Sequence, residues 1–348
     1  MKFSVISAGL LAAFASAAPT PTSEESVNRA AIAKRSTITD ACNIGYASTN
    51  GGTKGGAGGT TTTVSSYAQF TKAATAGKTV VVLAGPITQA ASQVKVASDT
   101  TIIGKNSKAV LTGFGLLVKG QKNVIIRNLG IKEVLAANGD ALGIRMFSPH
   151  IHSLQHIKLT STLEKSTNVW VDHVDLSSNR DHDKDYYDGL FDVTHAADFV
   201  TFSNSYIHDH WKASLIGHSD SNKAEDTGHL RVTYANNFWQ NVNSRGPSIR
   251  FGTAHIYNSY HNNVADGINT RDGAQALVES NVWVNSKKAL YSTDAGFAVA
   301  NGNDFGSSAN EAAKGTLSAS KLGYSYTLLG SDKVKAAVVG TAGVTLNF

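Results

Sequence analysis

The chain of 348 residues has one cysteine, Cys42, so no intrachain disulfide can form and stability must come from packing and backbone hydrogen bonds. It has no Asn-x-Ser/Thr glycosylation sequon. Beyond the extreme N-terminus no stretch approaches the ~20 apolar residues of a membrane helix. There is no run of Lys and Arg and no cluster of stacking aromatics, which argues against a nucleic-acid partner. Methionine is nearly absent, with Met146 the only one besides Met1.

Met1-Lys-Phe-Ser leads into an apolar stretch ending at Ala18, with Ala15-Ser-Ala17 as a small-residue cleavage site. This reads as a secretory signal peptide over residues 1–17, too short to span a membrane. Residues 18–35 contain Pro, Ser and Glu and end in Lys34-Arg35, a dibasic end that suggests a pro-segment. The folded domain is then expected over 36–348, secreted, extracellular and free of membrane contact once the signal is removed. The net charge of +5 falls to +3 when Lys2, Arg29, Lys34, Arg35, Glu24 and Glu25 leave with that leader. The residue weakly favours a polyanionic partner. Nothing in the chain indicates oligomerisation, so a monomer is expected.

The feature that organises the rest is repetition. Asn123-Val-Ile-Ile-Arg-Asn128, Asn168-Val-Trp-Val-Asp-His173, Val200-Thr-Phe-Ser-Asn204, Val232-Thr-Tyr-Ala-Asn236, Ala254-His-Ile-Tyr-Asn258 and Ala276-Leu-Val-Glu-Ser-Asn281 share one pattern, an apolar-alternating run ending in Asn or His. Their ends are spaced 45, 31, 32, 22 and 23. Short strands at such intervals predict a parallel solenoid with one rung per turn and loops of variable length. The terminal Asn residues are expected to stack and hydrogen-bond between turns. Ser65 to Gly77 reads as a short helix with a Ser cap and a Gly stop, placed to cover the open first rung. The Gly/Thr-rich segment from Asn50 lacks the Gly-Lys-Ser/Thr ending of a phosphate loop and is read as irregular backbone near the solenoid's start. The Ala/Ser-rich tail after about residue 300 is expected to run along the solenoid or to cover its far end.

Asp188 and Asp192 are four apart, so along an extended strand both project to one side. Two carboxylates forced together repel, and a shared cation resolves this. An all-oxygen site of this kind suits Ca²⁺. The alternative, turn residues or salt-bridge partners, stays open on the spacing alone. His208-Asp-His210 has the look of a metal pair, but its tight coupling to Trp211-Lys212 favours a structural or groove-lining role.

Four ordered segments, Asn168 to His173, Asp185-Tyr-Tyr-Asp-Gly-Leu-Phe-Asp192, His208-Asp-His-Trp-Lys-Ala-Ser-Leu215 and Asn243-Ser-Arg-Gly-Pro-Ser-Ile-Arg250, together resemble fungal pectate lyases of the first polysaccharide-lyase family. The resemblance implies an all-β, single-domain, right-handed parallel β-helix, in agreement with the repeats. It implies β-elimination on polygalacturonate, an acidic polysaccharide, with Ca²⁺ as cofactor. By the same resemblance Asp140 joins Asp188 and Asp192 as a metal ligand, Arg245 is the Brønsted base, and Lys212 and Arg250 bind substrate. Asn138 stands where many relatives carry an acidic residue. Two alternatives remain: a calcium-independent lyase of methyl-esterified pectin, and a non-catalytic polysaccharide-binding β-helix. The first gives no reason for the acidic set, and the second gives none for the cations beside it.

Residues 146–164 interrupt the resemblance. Relatives run from Gly-Asp-Ala-x-Gly-Ile directly into Ser-Thr-Asn-Val-Trp, whereas here nineteen residues with neither strand alternation nor a helical stripe intervene. Arg145-Met-Phe can be encoded with a GTATGT donor, Lys158-Leu-Thr with a CTAAC branch point, and Leu163-Glu164 with a TTAG acceptor. Removing that stretch joins Ile144 to Lys165 through a single Gln and shortens the first repeat interval from 45 to 26. The segment is therefore read as a translated, unspliced intron, with an inserted surface loop as the alternative.

Overall fold

A computed structural model describes residues 36–146 and 165–348. The signal peptide, the pro-segment and residues 147–164 lie outside the described residues.

The strands are short because each turn of the chain bends three times. Each complete turn contributes one strand to each of three sheets, of ten, nine and eight strands, and every strand pairing is parallel. This is the expected parallel β-helix. Sheet 1 runs from Thr60–Val64 to Phe297–Asn301 and contains the repeats. Sheet 2 follows each of its strands after a sharp corner. Sheet 3, which includes Leu142–Arg145, Phe191–Thr194, Ser214–Ile216 and Ser248–Arg250 as neighbours, closes the turn.

The corner between sheets 1 and 2 explains the repeated Asn. Asn128, His173, Asn204, Asn236 and Asn258 all have φ between +49° and +58°. Asn tolerates this left-handed conformation better than most side chains. The amides then link successive turns: Asn258 Nδ2 donates to Asn236 Oδ1 at 3.2 Å, Asn236 to Asn204 at 3.1 Å, and Asn204 to Asp172 at 2.8 Å. The last repeat differs from its expected alignment by one residue. Ser280 takes the positive φ of +54°, and Asn281 turns inward to donate to Ile256 O at 2.9 Å.

Inside, Val, Ile and Leu from all three sheets form one continuous core with Phe191, Phe202, Tyr234 and Trp239. Helix α1 (Tyr67–Ala74) covers its N-terminal end. Ser66 caps it by accepting from Gln69 N, and Tyr67 and Phe70 meet Phe114 edge to face at 5.0 and 6.0 Å. Cys42 is buried and unpaired. Among the described residues no helix is long and apolar enough to cross a membrane.

The C-terminal tail returns along the Asn row. Leu329 N donates to Asn258 Oδ1 at 3.0 Å, Gly343 N to Asn204 O at 2.9 Å, and Leu346 N to Asn128 Oδ1 at 2.9 Å. Both halves of the expectation for the tail hold: it runs along the solenoid, and Phe305 and Ala312 pack against the last rungs of the core.

The turn from sheet 3 back to sheet 1 is tight on both sides of the long insertion. Two residues separate Lys119 from Lys122, and three separate Thr194 from Asp198. Arg145 is in register with Lys119 and Thr194, and Thr167 with Lys122 and Asp198. Ser166 Oγ donates to Arg145 O at 2.7 Å, so the two ends of the insertion touch.

Candidate active site

All six residues singled out by sequence come to four adjacent strands of sheet 3 or to the corners that lead into them. Asp140 lies two residues before Leu142–Arg145, and Asp192 lies within Phe191–Thr194. Lys212 ends the sheet 2 strand that leads into Ser214–Ile216, Arg245 lies just before Ser248–Arg250, and Arg250 ends that strand. Acidic residues thus occupy two rungs and basic residues the next two.

Asp192 points outward, in register with Gly143 on one side and Leu215 on the other. Its Oδ1 accepts from Leu215 N at 3.0 Å. Gly189 lies between it and Asp140. A Cβ at that glycine would stand 2.7 Å from Asp192 Oδ1 and 2.9 Å from Asp140 Oδ1, so the two carboxylates converge where only glycine fits. Burial raises both carboxyl pKa values; for Asp140 the negative charges of Asp192 and Asp188 add to the rise, while for Asp192 Arg245 opposes it. Two crowded, buried carboxylates ionise together only beside a counter-charge, and an all-oxygen donor set fits a hard cation such as Ca²⁺.

Asp188 reaches this site by a different route from the one its spacing suggests. It precedes the strand, with Gly189 and Leu190 between, so same-side alternation along one strand does not apply. It adds charge to the Asp140–Asp192 pair, and no group of three or more such side chains stands in metal-binding geometry among the described residues. Asn138 donates through Nδ2 to Gly113 O at 3.3 Å.

On the basic side, Lys212 Nζ meets Asp185 Oδ1 at 3.0 Å, an exposed carboxylate on the preceding loop. Arg250 Nε bonds Asp220 Oδ1 at 2.5 Å and lies 3.4 Å from Asp272 Oδ2, while Nη1 donates to Gly217 O at 3.3 Å. Among the described residues Nη2 has no protein acceptor, which leaves a terminal N–H edge for a carboxylate. Arg245 differs: its guanidinium forms no hydrogen bond or ion pair among the described residues, although it acts on the charge of Asp192. Its φ of +60° is shared by many non-glycine residues at corners of this fold and is therefore no mark of function by itself.

The two histidines of His208-Asp-His210 part company. His208 faces out, between Asp175 at 3.1 Å and Asp209 at 2.7 Å. His210 is buried beneath the site with Nδ1 2.6 Å from Ser178 Oγ, and burial drives its pKa down to about 4. They do not form a metal pair. Sequence reasoning missed Gln93, whose amide holds the Asp140 main chain, and Asp185 and Asp220, which partner the cations; nothing in their local sequence marks these contacts.

Comparison with known proteins gives one answer. A family model described as pectate lyase matches residues 4–347. A probable pectate lyase A of Aspergillus fumigatus is 64% identical over 351 aligned residues, covering 100% of both chains, and one of Aspergillus niger is 61% identical over 348, covering 100% of this chain and 99% of the relative. Among solved structures, a pectate lyase from a Bacillus species in complex with trigalacturonate superposes with a TM-score of 0.72 at 27% identity, covering 87% of this chain and 99% of that one. Pectate lyase II of Xanthomonas campestris gives 0.69 at 28% identity, covering 87% and 98%. Matches over the full chain, the same coil in the solved relatives, and acidic and basic rungs side by side on sheet 3 agree that the chain belongs to the pectate lyase family, as an enzyme of the lyase class.

Proposed function

We propose that the protein is a secreted, calcium-dependent lyase that cleaves (1,4)-α-D-galacturonan by β-elimination. The observation that carries this reading is the convergence of Asp140 and Asp192 on Gly189, with an Arg245 whose guanidinium forms no hydrogen bond or ion pair among the described residues acting on the charge of Asp192. Complex formation with trigalacturonate by the Bacillus relative supports an acidic polysaccharide as substrate.

Asp140, Asp188 and Asp192 would hold Ca²⁺, which supplies positive charge for the carboxylate of the reacting uronate. Lys212 and Arg250 bind substrate carboxylates. Lys212 exchanges Asp185 for substrate at little cost, since exposed ion pairs contribute about 0–1 kcal/mol. Arg245 takes the C5 proton. The C5–H electron pair becomes the C4=C5 double bond, the C4–O4 bond breaks, and O4 leaves with a proton from solvent, so no water is added across the bond. Fixed positive charge lowers this barrier because negative charge accumulates on the carboxylate as C5 loses its proton. A free guanidinium is neutral only above about pH 12, so the reading calls for surrounding cations and for activity that rises into the alkaline range.

The test is ultraviolet absorbance of the unsaturated product on polygalacturonate, with calcium and then with chelator. Absorbance that grows with calcium and stops with chelator supports the reading. Equal rates with chelator, or preference for methyl-esterified pectin, would favour the calcium-independent lyase.

We further read residues 1–17 as a signal peptide, 18–35 as a pro-segment and the mature enzyme as a monomer. The intron reading of 146–164 draws support from the register. Joining Ile144 through one Gln to Lys165 leaves two residues before Thr167, the same turn length as between Lys119 and Lys122. Sequencing the mature transcript decides it: loss of the 57 nucleotides corresponding to 19 codons supports the intron, and their retention makes the segment a genuine loop.

A further inference from the structure

Asp140 stands on a turn that has no strand of its own to fix it. Residues Ala136–Asn138 form a single helical turn, Gly139 follows at φ +87°, and sheet 3 resumes only at Leu142. A carboxylate so placed, facing Asp192 and near Asp188, is pushed away from both by like charge. Something must hold its main chain in place before a cation arrives.

Gln93, from two turns earlier in the coil, grips this segment at two points and the strand between them at a third. Its backbone N donates to Asn138 O at 3.3 Å, and its side-chain Nε2 donates to Asp140 O at 2.9 Å and to Leu116 O at 3.3 Å. The amide fits because two glycines leave room for it. A Cβ at Gly139 would lie 2.9 Å from Gln93 Oε1, and one at Gly143 would lie 3.1 Å from Gln93 Nε2 and 3.4 Å from Asp140 Oδ2. From the opposite side Ala141 N donates to Gly189 O at 2.9 Å, which ties the same turn to the rung of Asp192. Asp140 is thus held from two rungs before it and from the rung after it.

We propose that Gln93 is a positioning residue for Asp140, holding its carboxylate against Asp192 so that the cation site is formed in advance. This deepens the calcium reading of the acidic rungs and rests on it. Groups that orient metal ligands without touching the metal commonly contribute 10–100-fold in affinity or activity. Gln93 touches neither Arg245 nor Lys212, so its effect should fall on cation affinity and not on the turnover of the loaded enzyme.

The experiment is calorimetric titration of chelator-stripped protein with CaCl₂, without substrate, for wild type and for Gln93→Met, Asp140→Asn and Asp192→Asn. Gln93→Met keeps length and approximate volume but loses the amide. Expected is roughly tenfold weaker calcium binding or more, with an unchanged melting temperature in chelator and with kcat restored to about the wild-type value at saturating calcium. Should that variant not fold, Gly143→Ala retains Gln93 and crowds its amide, with the same expected direction. Unchanged calcium affinity in Gln93→Met, while both Asp variants lose it, would overturn the role of Gln93 alone. Unchanged affinity in the Asp variants would overturn the cation site and the proposal with it.

Discussion

Asp172 and Asp192 are both buried carboxylates on the outside of the same coil, 1% and 9% exposed, and their environments are opposite. Asp172, on sheet 1, accepts from Arg127 Nε at 2.8 Å, Ser203 Oγ at 2.8 Å and Asn204 Nδ2 at 2.8 Å, and lies 2.7 Å from His173 Nδ1. Burial alone would raise its pKa, but His173, Arg127 and Asn204 outweigh that and bring it down to about 2. Asp192, on sheet 3, has one backbone donor at hydrogen-bonding distance and two carboxylates for company, and burial raises it. Buried charge is costly unless paired and hydrogen-bonded. On sheet 1 that requirement is met within the protein, and the result is a cross-link between rungs. On sheet 3 it is left unmet within the protein, which is the opening that the proposed cation site would use.

The difference is broken most severely at Arg245. Arg245→Ala should reduce kcat on polygalacturonate by about 10³-fold, within the range for loss of a positioned proton-transfer group, with the melting temperature unchanged because the side chain bonds to no described residue. A loss of stability matching the loss of rate would show that Arg245 belongs to the architecture instead. Asp172→Ala is the converse. It leaves Arg127 and His173 without their shared acceptor and should destabilise by about 3–5 kcal/mol, as removal of one member of a buried pair does. Activity per folded molecule should not change. Denaturant unfolding alongside steady-state rates separates the two.

A third test uses pH, where the two faces act with opposite signs. Asp140 and Asp192 have folded pKa values above the ordinary unfolded carboxylate value of about 3.9. Their favourable contribution is therefore complete below that value and is lost as pH rises through the folded values. Asp172, held down to about 2, contributes stability above about 3.9 that disappears as pH falls toward 2. Chelated protein should lose melting temperature from mildly acidic to neutral pH, and calcium should restore it. Asp192→Asn should flatten that fall and leave the acid limb intact. A chelated protein equally stable across that interval, or a fall that persists in Asp192→Asn, would remove the sheet 3 carboxylates as its cause.

Much of this contrast was legible in the sequence, and the reasons are physical. Period-two alternation ending in residues that tolerate positive φ marks the rungs of sheet 1, since strand and corner are both local. The Asn281 misalignment arose where Ser280 took the corner and the Asn moved inward, a choice that apolar patterning does not register. Lys212, Arg245 and Arg250 were legible because they lie in compact motifs beside the strands that carry them. Asp188 and Asp192 were paired by the wrong geometry, as the strand begins only at Phe191 and leaves Asp188 outside it. Gln93 was invisible: its partner is 47 residues away, and glutamine before a two-residue strand has no signature. The latch of the tail onto the Asn row was hidden likewise, because the groups that the tail contributes there are main chain.

His261 sharpens the contrast from within, as a polar side chain that meets neither condition. It is fully buried in a stack, its ring 5.6 Å from Trp239 and 4.7 Å from Trp283, and neither ring nitrogen has a hydrogen-bond partner among the described residues. It faces the interior, so no ligand can complete it as a cation would complete Asp192. Burial lowers its pKa to about 3, against about 6.5 in an unfolded chain. Below about pH 6.5 the unfolded chain therefore takes up a proton that the folded chain refuses, and stability declines as pH falls from there toward 3. His261→Phe keeps an aromatic ring in the stack and removes two unsatisfied nitrogens, each of which costs on the order of 1 kcal/mol when buried. The variant should gain about 1 kcal/mol at neutral pH and more in acid, read by denaturant unfolding at pH 7 and pH 4. A loss at both pH values would mean that the imidazole has a partner in solution, an internal water being the simplest, and that even the interior of this coil satisfies its polar groups.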